Sequence, residues 1–422
     1  MINDEGKLLT NIRFWYIWIS QIFSQFTLSI LNFALLFTLF EKTGSTIATS
    51  FLWIAYALPA LLIGPFASAA VDIFDRRRML ILTNLFQSIL IISYAILANS
   101  SSFYVYTVVL IYSSINQFYV PSEFATLPHV VSKNLLAQAN GLFLITQQGS
   151  LILGFGIAGV ILSAFGFRDT LIFCGMLLFV AFISTCFLPK MKPAQKIPKE
   201  FEKGLMIFFE NIVSGVRFII ENKYVLAPFL ILVSMQISLA ITVVNAPAIA
   251  QDIVRVPLAY AGTYLVVPGG IGAALASIVI PRLLNLGIRK IKIIKSSLLV
   301  MIFSLFLVVF MFSELAYVLR ILGSLLALIT IGFSYVGIII PSQTFLQQKT
   351  PFDLRGRVFG NYWFLVTVLS VFPVILSGTV SEILGARSLM FVLILAVLAL
   401  FLFLKDREKR YLLPENGDGN RL

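Results

Sequence analysis

Few side chains in this sequence could do covalent chemistry, and they are scattered. His129 is the only histidine, and the two cysteines are Cys174 and Cys186. Twelve residues of helix would hold those thiols about 18 Å apart, too far for a disulfide. No set of His, Cys and carboxylates has metal-ligand spacing, and no Gly-rich loop ending in Lys-Ser/Thr could cradle a phosphate. Gly154-Phe-Gly156-Ile-Ala-Gly159 has the spacing of the dinucleotide fingerprint, but that fingerprint needs a strand before it and a helix after it. Here it lies within QGSLILGFGIAGVIL, where small residues serve close helix packing. His129, alone at the end of an apolar run, reads as a solvated loop residue. The sequence therefore predicts no cofactor, no metal and no enzyme.

The remaining chemistry is polar groups set into apolar runs. Gln21, Gln25 and Asn32 fall within about 40° on a helical projection. Asn116 and Glu123 share a face, with Ser113 and Gln117 nearby, and Ser234, Ser238 and Asn245 align within about 40°. Such groups avoid lipid and point inward, lining a cavity or bonding helix to helix. Glu123 is the best carboxylate to carry a proton, with Asp72 and Glu41 as alternatives. In GPFASAAVDIFDRRRMLILTN, Asp72 ends one helix and Arg76, Arg77 and Arg78 open the next. A carboxylate there can sit against a helix N-terminus, and the arginines can meet acids or helix C-termini. That cluster reads as a latch that breaks when the protein changes state, or more plainly as a charge anchor with Asp72 as a cap.

These residues must be positioned by membrane-spanning helices. Of the 422 residues, 59% are hydrophobic and 12% charged. Twelve runs, near 14–40, 46–71, 79–98, 103–127, 137–165, 168–188, 224–249, 258–281, 293–313, 317–345, 358–384 and 386–404, approach or exceed the roughly 20 residues that cross a bilayer. All but five of the 31 Lys and Arg then fall on one side; the exceptions are Lys42, Arg168, Arg255, Arg320 and Arg387. Basic residues resist translocation, so the expectation is a multi-pass protein of the inner or plasma membrane with both termini cytoplasmic. The net charge of +12 is spread over short loops beside spans, which suits membrane lipids and not nucleic acid. The first span lacks a cleavage site after a short apolar core and reads as retained.

Residues 189–204 hold three prolines and five lysines and divide the chain into two sets of six spans. The expected organisation is 1–188, a linker 189–223 with an interfacial amphipathic helix over Lys203–Glu221, 224–404, and a tail 405–422. Lys203, Glu210, Ser214, Arg217 and Glu221 share its polar face. Local patterns recur across the linker. YVPSEFATLPHVVSKNLLAQANGL and IIPSQTFLQQKTPFDLRGRVFGNY each carry Pro-Ser near the start, at Pro121 and Pro341, and a second Pro precedes a helix start in each.

GPFASAAVDIFDRRRML resembles the loop between spans 2 and 3 of the major facilitator superfamily, in which an Asp precedes an Arg-rich turn. Ser68 stands where Gly is usual and Ile73 where Arg is usual. PFDLRGRVFG resembles the start of span 11 in that superfamily, and PSEFATLP with LLAQANGL resembles its span 4–5 junction. The nearest branch holds macrolide-efflux proteins and the enterobactin exporter. GFGIAG is similar to the span 5 motif of antiporters, with Gly154-Phe155 in place of Gly-Pro. The resemblance implies an all-α fold of two pseudo-symmetric six-helix bundles, with spans 1, 4, 7 and 10 lining the cavity. It also implies a cytoplasmic latch of Asp72, Arg76, Arg77, Arg355 and Arg357. A cavity rich in amides, hydroxyls and aromatics but poor in charge suits a bulky neutral or amphiphilic substrate. The expected function is efflux of such a small molecule by alternating access in a monomer, driven by the proton gradient. A lipid or lysophospholipid flippase on the same fold is the alternative. A polytopic membrane enzyme is the alternative of another class, with only His129 to offer as a catalytic group.

Overall fold

The computed structural model describes residues 8–97, 103–191 and 213–411. Much of the expected linker helix, including Lys203 and Glu210, lies outside them, as does the tail beyond Tyr411. The side chains of Asp72, Arg355 and Arg357 also lie outside those described.

No strand occurs among the described residues, and twelve long helices account for most of them. These are α1 (Ile12–Thr43), α2 (Thr46–Leu62, continued by Gly64–Ile73), α3 (Arg76–Leu97), α4 (Phe103–Val130), α5 (136–165) and α6 (167–186). The remainder are α7 (Lys223–Val244), α8 (Val267–Asn285), α9 (Lys290–Phe306), α10 (Tyr317–Lys349), α11 (352–384) and α12 (386–411). Eight described stretches are long and apolar enough to cross a membrane, and two of these are the pairs α5–α6 and α11–α12. That leaves α2, interrupted at Ile63, and α4, diluted by Tyr, Ser, Gln and two prolines. Large apolar side chains such as Phe103, Phe303 and Phe372 stand exposed, as a hydrocarbon solvent requires.

The breaks between helices have local causes. Gly166 (φ 79°) and Gly385 (φ 82°) lie between α5 and α6 and between α11 and α12, in a backbone region that costs glycine little. The span expected over 224–249 instead ends at Val244. Asn245 caps it, and Pro247 opens the short helix that follows. Both Pro-Ser pairs lie inside long helices, where Ser122 Oγ donates to Phe118 O and Ser342 Oγ to Ile338 O, each at 2.7 Å. Pro128 likewise sits inside the last turns of α4, whereas Pro351 directly precedes α11.

The chain forms two compact units. The first gathers α1, α2 from Phe51 onward, α3 to α6, and the segment Leu258–Thr263. Its core joins Phe14 and Ile17 of α1 to Leu80, Tyr119, Leu127 and Phe143. The second gathers Ser45–Ser50, α7, and α8 to α12, with Val225, Phe229 and Leu232 of α7 packed on Leu346, Val358 and Tyr362.

In the first unit the glycines of GFGIAG are a packing surface. A Cβ on Gly154 would lie 2.5 Å from Ser29 Cβ, and one on Gly159 would lie 1.7 Å from Ala259 O. Thr263 Oγ1 donates to Gly156 O at 2.6 Å. Gly159→Val should therefore lower the thermal unfolding midpoint of the purified protein, at a cost of about 1–3 kcal/mol or more. Gly149→Ala, where a methyl meets nothing within 4 Å, should leave it within about 0.5 kcal/mol of the parent.

Candidate functional site

The first unit contains a buried polar network. Glu123 of α4 is 1% exposed. Its Oε1 accepts a hydrogen bond from Tyr119 Oη, one turn earlier, at 2.8 Å. That hydroxyl lies 3.2 Å from Ser20 Oγ on α1, and Ser20 Oγ accepts from Asn84 Nδ2 of α3 at 3.1 Å. One turn further along α3, Gln87 Nε2 reaches Asn116 Oδ1 of α4 at 3.5 Å. Three helices are thus tied through neutral donors to a single carboxylate. Among the described residues its bonding partner is a phenol and not a cation. Charge is expensive in such a setting, so gaining or losing a proton there changes the energy of the whole cluster. A group of that kind can serve as a proton carrier.

The other expected residues take varied places. Gln21 is buried and donates through Nε2 to Phe143 O of α5 at 3.2 Å. Gln25 is half-buried, and its carbonyl receives the Ser29 hydroxyl at 3.0 Å. Asn32 Oδ1 accepts from Tyr56 Oη, and Ser113 Oγ donates to Tyr56 O at 2.9 Å, so α1 and α4 both hold α2. Gln117 turns back onto the Ser113 carbonyl at 3.4 Å.

In the second unit Ser234 and Ser238 are half-buried, and Ser238 Oγ donates to Ser234 O at 2.9 Å. Asn245 is fully buried. Its Nδ2 reaches both Ile241 O at 2.9 Å and Ser377 Oγ of α11 at 3.0 Å. Gln236 Oε1 accepts from Tyr335 Oη of α10 at 2.6 Å.

Arg76 and Arg77 bond within the first unit. Arg76 Nη1 lies 2.9 Å from His129 Nε2, and Arg77 Nη2 donates to Cys186 O at the end of α6 at 2.6 Å. The arginines thus meet a helix C-terminus and the end of α4, with Asp75 Oδ1 taking the Arg77 N–H at 3.0 Å. His129 is exposed but engaged. Among the described residues no group of three His, Cys, Asp or Glu could hold a metal.

Sequence reasoning missed Ser20, Asn84, Gln87, Tyr119, Gln236 and Tyr335. The signal for α3 was present: Asn84, Gln87 and Ser88 lie at helical spacing on one face of an apolar run. A tyrosine hydroxyl gives no such signal, because the ring suits lipid and core alike.

The model described as Major Facilitator Superfamily matches residues 17–373. The chain belongs to that superfamily and is a multi-pass membrane transporter. It is 23% identical over 391 residues, 90% of each chain, to YfiS of Bacillus subtilis (strain 168), an uncharacterised MFS-type transporter. It is 24% identical over 208 residues, 47% of this chain and 50% of the relative, to the lysophospholipid transporter LplT of Photorhabdus laumondii. Its fold is similar to the crystal structure of the nucleoside transporter NupG. The TM-score is 0.74 at 13% identity, covering 94% of this chain and 99% of that one. A bacterial homologue of ferroportin in an inward-facing state gives 0.71 at 14% identity, covering 96% and 100%.

If Tyr119 is what satisfies the buried carboxylate, Tyr119→Phe should destabilise the protein by about 1–3 kcal/mol. Tyr119→Phe with Glu123→Met should recover most of that loss, since both partners are then apolar. Thermal unfolding of the purified single and double variants measures the difference. Additive losses would mean that the bond contributes nothing.

Proposed function

We propose that the protein is a proton-coupled secondary transporter that exports an amphiphilic small molecule by alternating access, with Glu123 carrying the coupling proton. The observation that carries this reading is the carboxylate itself, sealed in the first unit and bonded to Tyr119, Ser20 and Asn84 in series. A transporter needs its ion site linked to the helices that move, and this network reaches α1, α3 and α4. In the first unit the half-buried amides Gln25, Asn32, Asn116 and Gln117, and in the second the hydroxyls of Ser234 and Ser238, are polar groups without charge. That chemistry fits a molecule with a large apolar body and a modest polar part. Likeness to the macrolide-efflux and enterobactin-exporter branch supports outward transport across the inner or plasma membrane, with both termini cytoplasmic. Asp72 with Arg76, Arg77, Arg355 and Arg357 would then form the cytoplasmic latch.

A second reading, a lysophospholipid transporter, is favoured by the named activity of a relative that matches about half of each chain. A lysophospholipid, with one acyl chain and a small polar head, has the same large apolar body and modest polar part. Substrate assays separate the two.

Glu123→Gln keeps the shape and removes the titration. In proteoliposomes it should abolish rhodamine 6G or fluorescent lysophospholipid movement driven by a pH gradient, while exchange of the same probe without a gradient continues. Gradient-driven transport at the parent rate would remove Glu123 from the role. The probe that moves decides between drug-like and lysolipid substrates.

A further inference from the structure

The turn between α8 and α9 gathers cations that these helices do not themselves use. Arg282 lies in the last turn of α8, Arg289 directly precedes α9, and Lys292 lies in its first turn. All three are exposed, and among the described residues none has a side-chain hydrogen bond, ion pair or ring contact. The sequence holds no acid between Asp252 and Glu314.

A basic residue at the end of a helix often closes its last carbonyls, but here the backbone does so. Leu286 N donates to Arg282 O and Gly287 N to Leu284 O, both at 3.0 Å, and Ile288 N to Leu283 O at 3.2 Å. Gly287, at φ 82°, permits that turn. The start of a helix favours acids, yet the first turn of α9 has none. Other cations in comparable places are engaged. Arg76 meets His129 and Arg77 the Cys186 carbonyl in the first unit. Lys290 donates to Gln348 Oε1 and lies 5.9 Å from the centre of the Phe345 ring. Arg282, Arg289 and Lys292 are left for an anion from outside the chain.

Along both helices, the surface that continues from these cations is apolar and exposed. Leu275 and Ile278 precede Arg282 at helical spacing, and Leu299, Phe303 and Phe306 follow Lys292 at the same spacing. Both helices are fixed to α10 within the second unit, where Ile280 and Ile293 share a core with Phe333, Val336 and Ile340. A soluble anion would use the cations alone, and a neutral lipid the apolar stripes alone. An anionic phospholipid uses both.

We propose that Arg282, Arg289 and Lys292 form a binding site for the headgroup of an anionic phospholipid whose acyl chains run along α8 and α9. Basic pockets between membrane helices take such headgroups. The site owes nothing to Glu123, to a coupling ion or to the transported molecule.

The test titrates phosphatidylglycerol into the full chain purified in detergent with excess phosphatidylcholine, and counts bound lipids by native mass spectrometry. A cation near a lipid surface contributes about fivefold in affinity. The triple variant Arg282→Gln, Arg289→Gln, Lys292→Gln should therefore bind the tightest phosphatidylglycerol roughly a hundredfold more weakly. Lys292→Gln alone should cost about fivefold, and Arg282→Lys with Arg289→Lys should bind as the parent does. A charge-matched control, Arg13→Gln, Lys190→Gln, Lys405→Gln, removes three exposed cations elsewhere and should leave that lipid in place. Equal losses in the two triple variants overturn the site, because they report net charge alone; unchanged binding in the first overturns it too. Competition by glycerophosphoglycerol, the headgroup without acyl chains, at concentrations matching the lipid would overturn the role of α8 and α9. No gradient or transport enters the assay, so it stands or falls apart from the coupling proposed at Glu123.

Discussion

A chain dissolved in hydrocarbon must satisfy every backbone N–H and C=O from within itself. The twelve helices follow from that constraint, and so does the manner in which they end. Where a helix must stop, a side chain or a permissive residue repairs the break. Asn245 returns its Nδ2 to the Ile241 carbonyl. Arg255 takes a left-handed conformation (φ 57°) beside the Val256 N–H, which bonds Ala250 O at 3.0 Å. Gly166 and Gly385 turn the chain between adjacent helices at positions that would strain other residues.

The same constraint governs side chains. The lipid-facing surface is apolar, so amides and hydroxyls turn inward, where each seeks a partner. In the first unit Asn84, Ser20 and Tyr119 lead to Glu123, whereas in the second Gln236 pairs with the Tyr335 hydroxyl. The two Pro-Ser pairs make this asymmetry visible. Pro121-Ser122 is followed by Glu123 and Pro341-Ser342 by Gln343, with identical serine back-bonds inside α4 and α10. The same local structure carries an ionisable group in one repeat and its neutral analogue in the other. Close glycine packing supplies the remaining cohesion, since lipid gives apolar faces little reason to associate.

Much of the fold could be read from hydropathy. Spans, loops and the packing role of GFGIAG depend on composition over a few turns, and composition is local. Helix ends were less legible. The interruption at Ile63 and the stop at Val244 depend on which backbone groups find partners, and hydropathy does not report that. The candidate site was legible in part. Glu123 stood out as an acid in an apolar run, and Gln21, Asn32 and Asn116 as amides. Tyr119 and Ser20 did not stand out, because nothing about either residue in isolation marks it as a link.

The sequence by itself determined that this chain crosses a membrane as two sets of six helices, and which polar residues those helices carry, because burial in lipid is decided segment by segment. Only the tertiary structure decided that Tyr119, Ser20 and Asn84 join Glu123, and that Tyr335 bonds Gln236. Hydrogen bonds act over about 3 Å, and residues far apart in sequence come within that distance only after helices have packed.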